Sequence, residues 1–339
     1  MNLRDRDIEK AKKIEKGRKK KTMIQRAIKL GEEIGIEIAN RNGVWGIVVR
    51  EEGEKLVTDQ KKIGKIIIEQ QQRSLMKELE RKKMAGLYYF DFRGIDNWNR
   101  DSYQWLINWK EISVTTERKY FEILEQLVMT KYRKKEILKE GGCEDKCRLC
   151  MRKRETVRHI LSNCDRLAVN MYIMRHNNAL KVLYWWILHK YKLEDKVRKW
   201  SDKEQPQVTR SNKRITIKWN SKVQSNEYTE ANRPDMLVID NEKKRIRIIE
   251  MSCPWDKNVN RKEVEKMTKY ETIRQELREQ YEGYEVKQVN IIVGTLGTIT
   301  SLGEELGKIS KKAKGLAEQI QRVVIMSSIA IVEKFFKRE

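Results

Sequence analysis

With 339 residues, the chain is long enough for one large domain or two to three small ones. Its 39% apolar share can fill a core although 37% of positions are charged. Nine Trp and twelve Tyr exclude a wholly disordered chain, and only three Pro fit a mostly helical one. The formal net charge of +24 repels itself unless a polyanion is near, which points to nucleic acid and argues against an adaptor with no nucleic-acid role; a basic ribosomal or chromatin component would carry the same signature.

Residues 1–85 read as a basic, Lys/Glu-rich helical region with short strand-like breaks. The run from Lys10 to Lys21 holds eight basic residues in twelve, suited to a nuclear import signal or an RNA-binding arm, and equally to a solvated helix face. Residues 43–58 (GVWGIVVREEGEKLVT) predict a small hairpin. Residues 86–142 form a linker in which aromatics interleave with charge: Tyr88, Tyr89, Phe90, Phe92, Trp98, Tyr103, Trp105 and Trp109. Such rings can stack on bases, although aromatics at mixed helical spacing more often form core. A helix is expected from about Thr115 to Glu140, with Phe121, Leu124, Leu127 and Val128 on one face and Gly141-Gly142 ending it.

Residues 143–200 carry most of the cysteine. Of Cys143, Cys147, Cys150, Cys164 and Cys253, four cluster within 22 residues. The count is odd and no apolar leader precedes them, so a reducing compartment and metal ligation are expected rather than disulfides. Cys147, Cys150, His159 and Cys164 are spaced C-x2-C-x8-H-x4-C. The C-x2-C turn brings two thiolates to one ion, and a His and a Cys on neighbouring turns of a short helix complete a tetrahedron; structural Zn2+ is the expected occupant. A chance cluster of buried thiols is the alternative, and Cys143 is a spare. The spacing is not that of a two-His finger, so base-by-base readout is not implied. His176, in Arg-His-Asn on an expected helix, reads as structural.

Residues 201–300 read as an α/β core and residues 301–339 as helices anchored by Leu302, Leu306, Ile309, Val323, Ile325 and Ile329. No stretch of about 18 apolar residues is evident, so no membrane span is expected. A strand is predicted at Arg214 to Trp219. Asp235 then opens the apolar strand Met236 to Ile239, and Glu250 sits inside a second apolar run 15 residues later. Two acids on adjacent strands of a hairpin can meet at one spot, where their repulsion is relieved by a divalent cation that activates water for attack on a phosphodiester. Past Pro254 a helix is expected, opened by an Asn260/Glu263 capping box, with Val264, Met267, Tyr270, Ile273 and Leu277 as its apolar stripe and Lys262, Lys266 and Lys269 on one face beside it. Val289 to Val293 supplies a third strand. The pattern alone fits equally an exposed Asp, a buried structural Glu and a solvated lysine face.

The ordered runs CRLC…ETVRHILSNC, MRHNNALKVLYWWI, NRPDMLVID…RIIEMSCPWD…KMTKYETI and VNIIVGTLG, with DFRGIDNWNRDSYQWL and TKYRKKEILK upstream, resemble the C-terminal region of non-LTR retrotransposon polyproteins over roughly residues 85 to 335. The elements resembled are those with a restriction-enzyme-like endonuclease. The resemblance implies an α+β fold: a linker, a CCHC zinc knuckle (Cys147, Cys150, His159, Cys164) that contacts nucleic acid, and a PD-(D/E)XK core that nicks target DNA to prime copying of the element's RNA. It implies Asp235 and Glu250 as ligands of a catalytic Mg2+ or Mn2+. Ser252 stands where the motif usually has lysine; the family's displaced Lys-Tyr pair is matched by Lys269-Tyr270, with Lys266 the second candidate.

No reverse-transcriptase palm and no Tyr-x-Asp-Asp motif is present, so the implied partners are target DNA, retroelement RNA and a reverse transcriptase domain outside this chain. The implied location is the nucleus. The leading expectation is a metal-dependent DNA endonuclease. The alternative is a domesticated or inactive DNA/RNA-binding module.

Overall fold

The computed structural model describes residues 23–50, 54–82, 88, 100–103, 105, 112–142, 144–224 and 232–337. The chain divides into two compact units, Met1–Gly86 and Leu87–Glu339. The Lys10 to Lys21 run, Cys143, and the linker aromatics Tyr89, Phe90, Phe92, Trp98 and Trp109 lie outside the described residues.

In the first unit, helix α1 (Met23–Glu33) precedes a three-stranded antiparallel sheet of β1 (Glu37–Arg41), β2 (Val44–Val49) and β3 (Lys55–Val57). The hairpin expected over 43–58 corresponds to β2 and β3; the strand before it was not anticipated. The turn between β1 and β2 is made by Asn42 and Gly43, at φ 53° and 83°, the primed geometry whose twist suits a two-residue hairpin. Helix α2 (Gln60–Arg81) follows, capped where the Asp59 carboxylate accepts the Lys62 amide at 2.9 Å.

The second unit is α+β. The helix expected over 115–140 is two helices, α3 (Val114–Leu124) and α4 (Lys131–Glu136). Gln126 adopts φ 58°, which ends the first, and the Thr130 side chain caps the second by accepting the Arg133 amide. The break changes the buried face: Tyr120, Ile123 and Leu124 point inward, whereas Phe121 and Leu127 are exposed. Helix α5 (Val157–Ser162) leads through a π-helical turn at Ala168–Tyr172 into α6 (Ile173–Lys190).

A five-stranded sheet follows, in the order β4 (Thr209–Ser211), β5 (Ile215–Trp219), β6 (Met236–Asp240), β7 (Arg245–Ser252), β8 (Glu285–Ile292). Neighbours are antiparallel except β7 and β8, which are parallel. A parallel pair needs a crossover, and the chain supplies α7 (Val259–Thr268) and α8 (Glu271–Gln280). One helix with a single stripe was expected here. Instead the helix breaks at Lys269-Tyr270, which rotates the second half: Tyr270, Ile273 and Leu277 pack under Leu237, Ile239, Ile246 and Ile248, while Val264 and Met267 stay exposed. The Asn260/Glu263 capping box does not form either, because Glu263 is drawn to the Thr300 and Ser301 hydroxyls.

The other face of the sheet, with Ile217, Val238, Ile249, Met251 and Val289, packs on α6, α9 (Leu302–Ile309) and α10 (Ala317–Phe336). By length and composition the helix over Lys311–Phe336 would suffice to cross a membrane, contrary to the expectation from the sequence. Its apolarity has another use, since its side chains are buried in two cores at once. The second core joins α3, α5 and the end of α10 around Trp105, which is fully buried edge-on to Tyr120 at 4.8 Å. Tyr88 and Trp105 are therefore core residues.

The two cores meet at Asp256. Its buried carboxylate accepts the Thr295 hydroxyl and the Leu296 and Thr298 amides. Tyr120 donates to the Leu296 carbonyl in the same loop. Burial raises the Asp256 carboxyl, partly offset by these donors. Replacement by Ala would orphan buried N–H groups, so Asp256→Ala is expected to cost about 3 kcal/mol or more, read as a lowered denaturant midpoint.

Candidate metal centre and acid–lysine site

Cys147 and Cys150 sit in the loop before α5, His159 lies within α5, and Cys164 follows its end. Thr156 caps α5 by accepting the His159 amide at 3.1 Å, which fixes the histidine one turn into the helix. The four ligand atoms all lie within 4.8 Å of one another. Cys147 Sγ is 4.0 Å from Cys164 Sγ, and Cys150 Sγ is 3.3 Å from His159 Nε2. Zn–S bonds of about 2.3 Å and Zn–N bonds of about 2.0 Å imply tetrahedral edges of roughly 3.5 to 3.8 Å, so the spacing suits an ion such as zinc. Burial holds the His159 imidazole below its usual pKa and therefore neutral, as a ligand must be. Burial also raises Cys147, to about 12, and Cys164. At Cys150 burial acts the same way, but the Lys153 and Arg152 amides outweigh it and the thiol is lowered. Thiols this close repel one another as thiolates, and a cation relieves that repulsion.

The knuckle is clamped from outside. Glu155, fully buried, accepts the Arg148 guanidinium at 3.0 Å and the Arg148 and Lys131 amides at 2.9 and 3.0 Å. Arg148 in turn lies over the Phe335 and Phe336 rings of α10, 5.2 and 4.7 Å from their centroids. Tyr172 accepts the Cys164 amide and donates to the Ile160 carbonyl at 2.8 Å.

The second site forms where β6 begins. Met236 pairs with Ile249, which brings Asp235, the residue before β6, beside the Glu250–Met251 stretch of β7, where its carboxylate accepts the Met251 amide. Glu250 is buried; its Oε1 accepts Lys266 Nζ and Lys269 Nζ, each at 2.5 Å, and its Oε2 accepts the Tyr270 hydroxyl at 2.8 Å. The helix break at Lys269-Tyr270 is what lets Lys266, Lys269 and Tyr270 converge on one carboxylate. Lys262, expected on the same face, pairs instead with Glu265. The Glu250 carboxylate outweighs burial and raises Lys266 above its usual pKa, while burial and then Glu250 push Tyr270 upward.

Asp235 Oδ2 accepts the Met251 amide at 2.7 Å and stands 3.0 Å from His176 Nε2. Burial would raise Asp235, but His176 outweighs it and lowers the carboxyl. His176 was read from the sequence as structural, and its pairing with Asp235 was missed: 59 residues separate them, and only a polar Arg-His-Asn at the head of an apolar helix hinted at a site. The pair borders a cavity of about 570 Å³, lined also by Trp219, Asn220, Ser252 and Lys262.

No protein-family model matches the chain, and neither does any curated protein.

Two outcomes are expected at the knuckle. The purified chain should carry one equivalent of zinc by elemental analysis, and Cys164→Ser should lose most of it and melt at lower temperature. Glu155 is held below the ordinary carboxylate pKa because its Arg148 and amide partners outweigh burial. Its contribution is thus fully present above the unfolded value near ~4.3 and is lost as pH falls through the lower folded value. Thermal melts between pH 5 and 3 should fall more steeply for the wild type than for Glu155→Gln.

Proposed function

We propose that the chain is a divalent-metal-dependent DNA endonuclease of the PD-(D/E)XK kind, with the zinc knuckle as an added nucleic-acid contact. The observation that carries this reading is the convergence of Lys266, Lys269 and Tyr270 on Glu250, with the Asp235 carboxylate held on the amide of the next residue, Met251. Oxygen donors from two carboxylates suit Mg2+ or Mn2+, which take one or two protein carboxylates and leave other positions to water and substrate phosphate. Such an ion would supply an activated water and charge neutralisation at phosphorus. The protein's own groups do the rest. His176 and the Met251 amide orient Asp235. Lys266 and Lys269 balance the buried Glu250 charge and offer ammonium groups to a scissile phosphate. Tyr270 fixes the carboxylate from its other oxygen.

The basic composition, +24 over the whole chain, supports a polyanionic substrate. Target DNA and retroelement RNA as partners, a separate reverse transcriptase domain and a nuclear location follow from the resemblance and stand as parts of the same proposal. One feature favours the second reading, a binding module that does not cut. Both Glu250 oxygens are already engaged, so an ion must compete with two lysines.

A plasmid-nicking assay separates the two readings. Wild-type chain with Mg2+ or Mn2+ should relax supercoiled DNA, and Asp235→Ala and Glu250→Ala should each lower the rate about a hundredfold or more while DNA binding persists. Binding without any metal-dependent nicking by folded wild type would leave the binding module as the function.

A further inference from the structure

A second cavity, about 650 Å³, opens between α6, the segment from Val197 to Trp200 and α10. Three of the chain's nine tryptophans line it: Trp185, Trp186 and Trp200. Consecutive helix residues diverge by about 100°, so Trp185 turns inward, 6% exposed, and Trp186 stays half-buried with ring surface open to the groove. Trp200 is half-buried as well. The Trp185 Nε1 donor is sealed from solvent without a hydrogen-bond partner among the described residues.

The rim is cationic. Arg198 stacks over Trp185 at 5.3 Å, and Lys190, outside the lining, sits 4.7 Å above the Trp186 ring. Lys199 and Arg322 complete the charged part of the lining, which also holds His189 and contains no acidic side chain among the described residues. Glu194 and Glu204 hold Arg198 in place, and Glu318 holds Arg322. Lys199 is exposed on the rim.

We propose that this groove is a binding site for an unpaired nucleic-acid strand, with a base stacked on Trp186 and Trp200 and its phosphates on Lys199 and the neighbouring cations. Indole faces beside positive charge are what base stacking and backbone neutralisation together require. An aromatic cage for a cationic ligand would turn its acids inward; here the lining carries Arg198, Lys199 and Arg322, and the three nearby carboxylates are taken up by the two arginines. A paired base presents no free face, so duplex does not fit. The cavity is on the far side of the sheet from Lys266 and Lys269, lined by different residues from those around Asp235. The site therefore goes beyond the proposed cutting chemistry and does not depend on it.

The test reads tryptophan fluorescence of the full zinc-loaded chain, without added Mg2+, titrated with a dT12 oligonucleotide, an rU12 oligonucleotide and a 12-bp duplex. Single strands should quench the emission and the duplex should quench it far less. The dT12 and rU12 arms identify which strand type is preferred. Trp186→Ala should weaken single-strand affinity at least about fivefold, and Trp186→Phe should restore most of it. Lys199→Glu, a change at an exposed position, should weaken it and flatten its salt dependence. Wild-type affinity in Trp186→Ala and Lys199→Glu, or equal quenching by duplex, would overturn the proposal. Since the readout is binding, loss of nicking in the wild type would not affect it.

Discussion

The pairing of β6 with β7 in one register governs everything assembled around the acids. Met236 against Ile249 and Leu237 against Ile248 place alternate side chains of both strands on opposite faces. A slip of one residue would exchange the two faces. It would turn Ile246 and Ile248 from α8 toward α6 and move Glu250 away from Lys266 and Lys269. Both faces are covered by helices, so side chains fitted to a separate core on each face hold the register from two sides. The position of the two carboxylates is thus a by-product of core packing. That is also why a buried glutamate is tolerable: the same packing brings two ammonium groups and a phenol to neutralise it.

Around that sheet the chain uses charge pairs in two distinct ways. Exposed pairs such as Arg152 with Asp165 are solvated and contribute little. Buried ones act as joints. Arg148 with Glu155 ties the knuckle loop to the start of α4 and, through the Phe335 and Phe336 rings, to the end of α10. Asp256 performs the same work without a cation, by collecting N–H and O–H donors from one loop. Removing either carboxylate leaves buried donors unsatisfied, which costs more than the pair itself contributes.

Helix α10 connects these joints. Ile320, Val323 and Val324 belong to the core on the sheet, and Ile325, Ile329, Ile331 and Phe335 to the core around the knuckle. A helix shared by two cores must be apolar on most sides, which is the same composition a membrane helix needs. Trp185 and Trp186 show the matching effect on α6, where one indole fills the core and its neighbour is left at the surface.

The local features were legible in the residues. The C-x2-C-x8-H-x4-C spacing by itself specified four ligands that lie together, because they are held by one loop and one short helix within eighteen residues. The apolar runs at 236–239 and 245–251 marked paired strands for a similar reason, since a short turn permits only an antiparallel partner. What crosses long distances was not legible. His176 meets Asp235 across 59 residues, and nothing in either segment encodes the other. The breaks at Gln126 and at Lys269-Tyr270 were also hidden, because helix periodicity reads straight through them. Tertiary burial decided which side chains turned inward: Tyr120 rather than Phe121, and Ile273 rather than Met267. Sequence set the ligand spacing and the strand pattern through local chain geometry; only packing between distant segments could select the faces, because its free energy depends on neighbours that the local pattern does not contain.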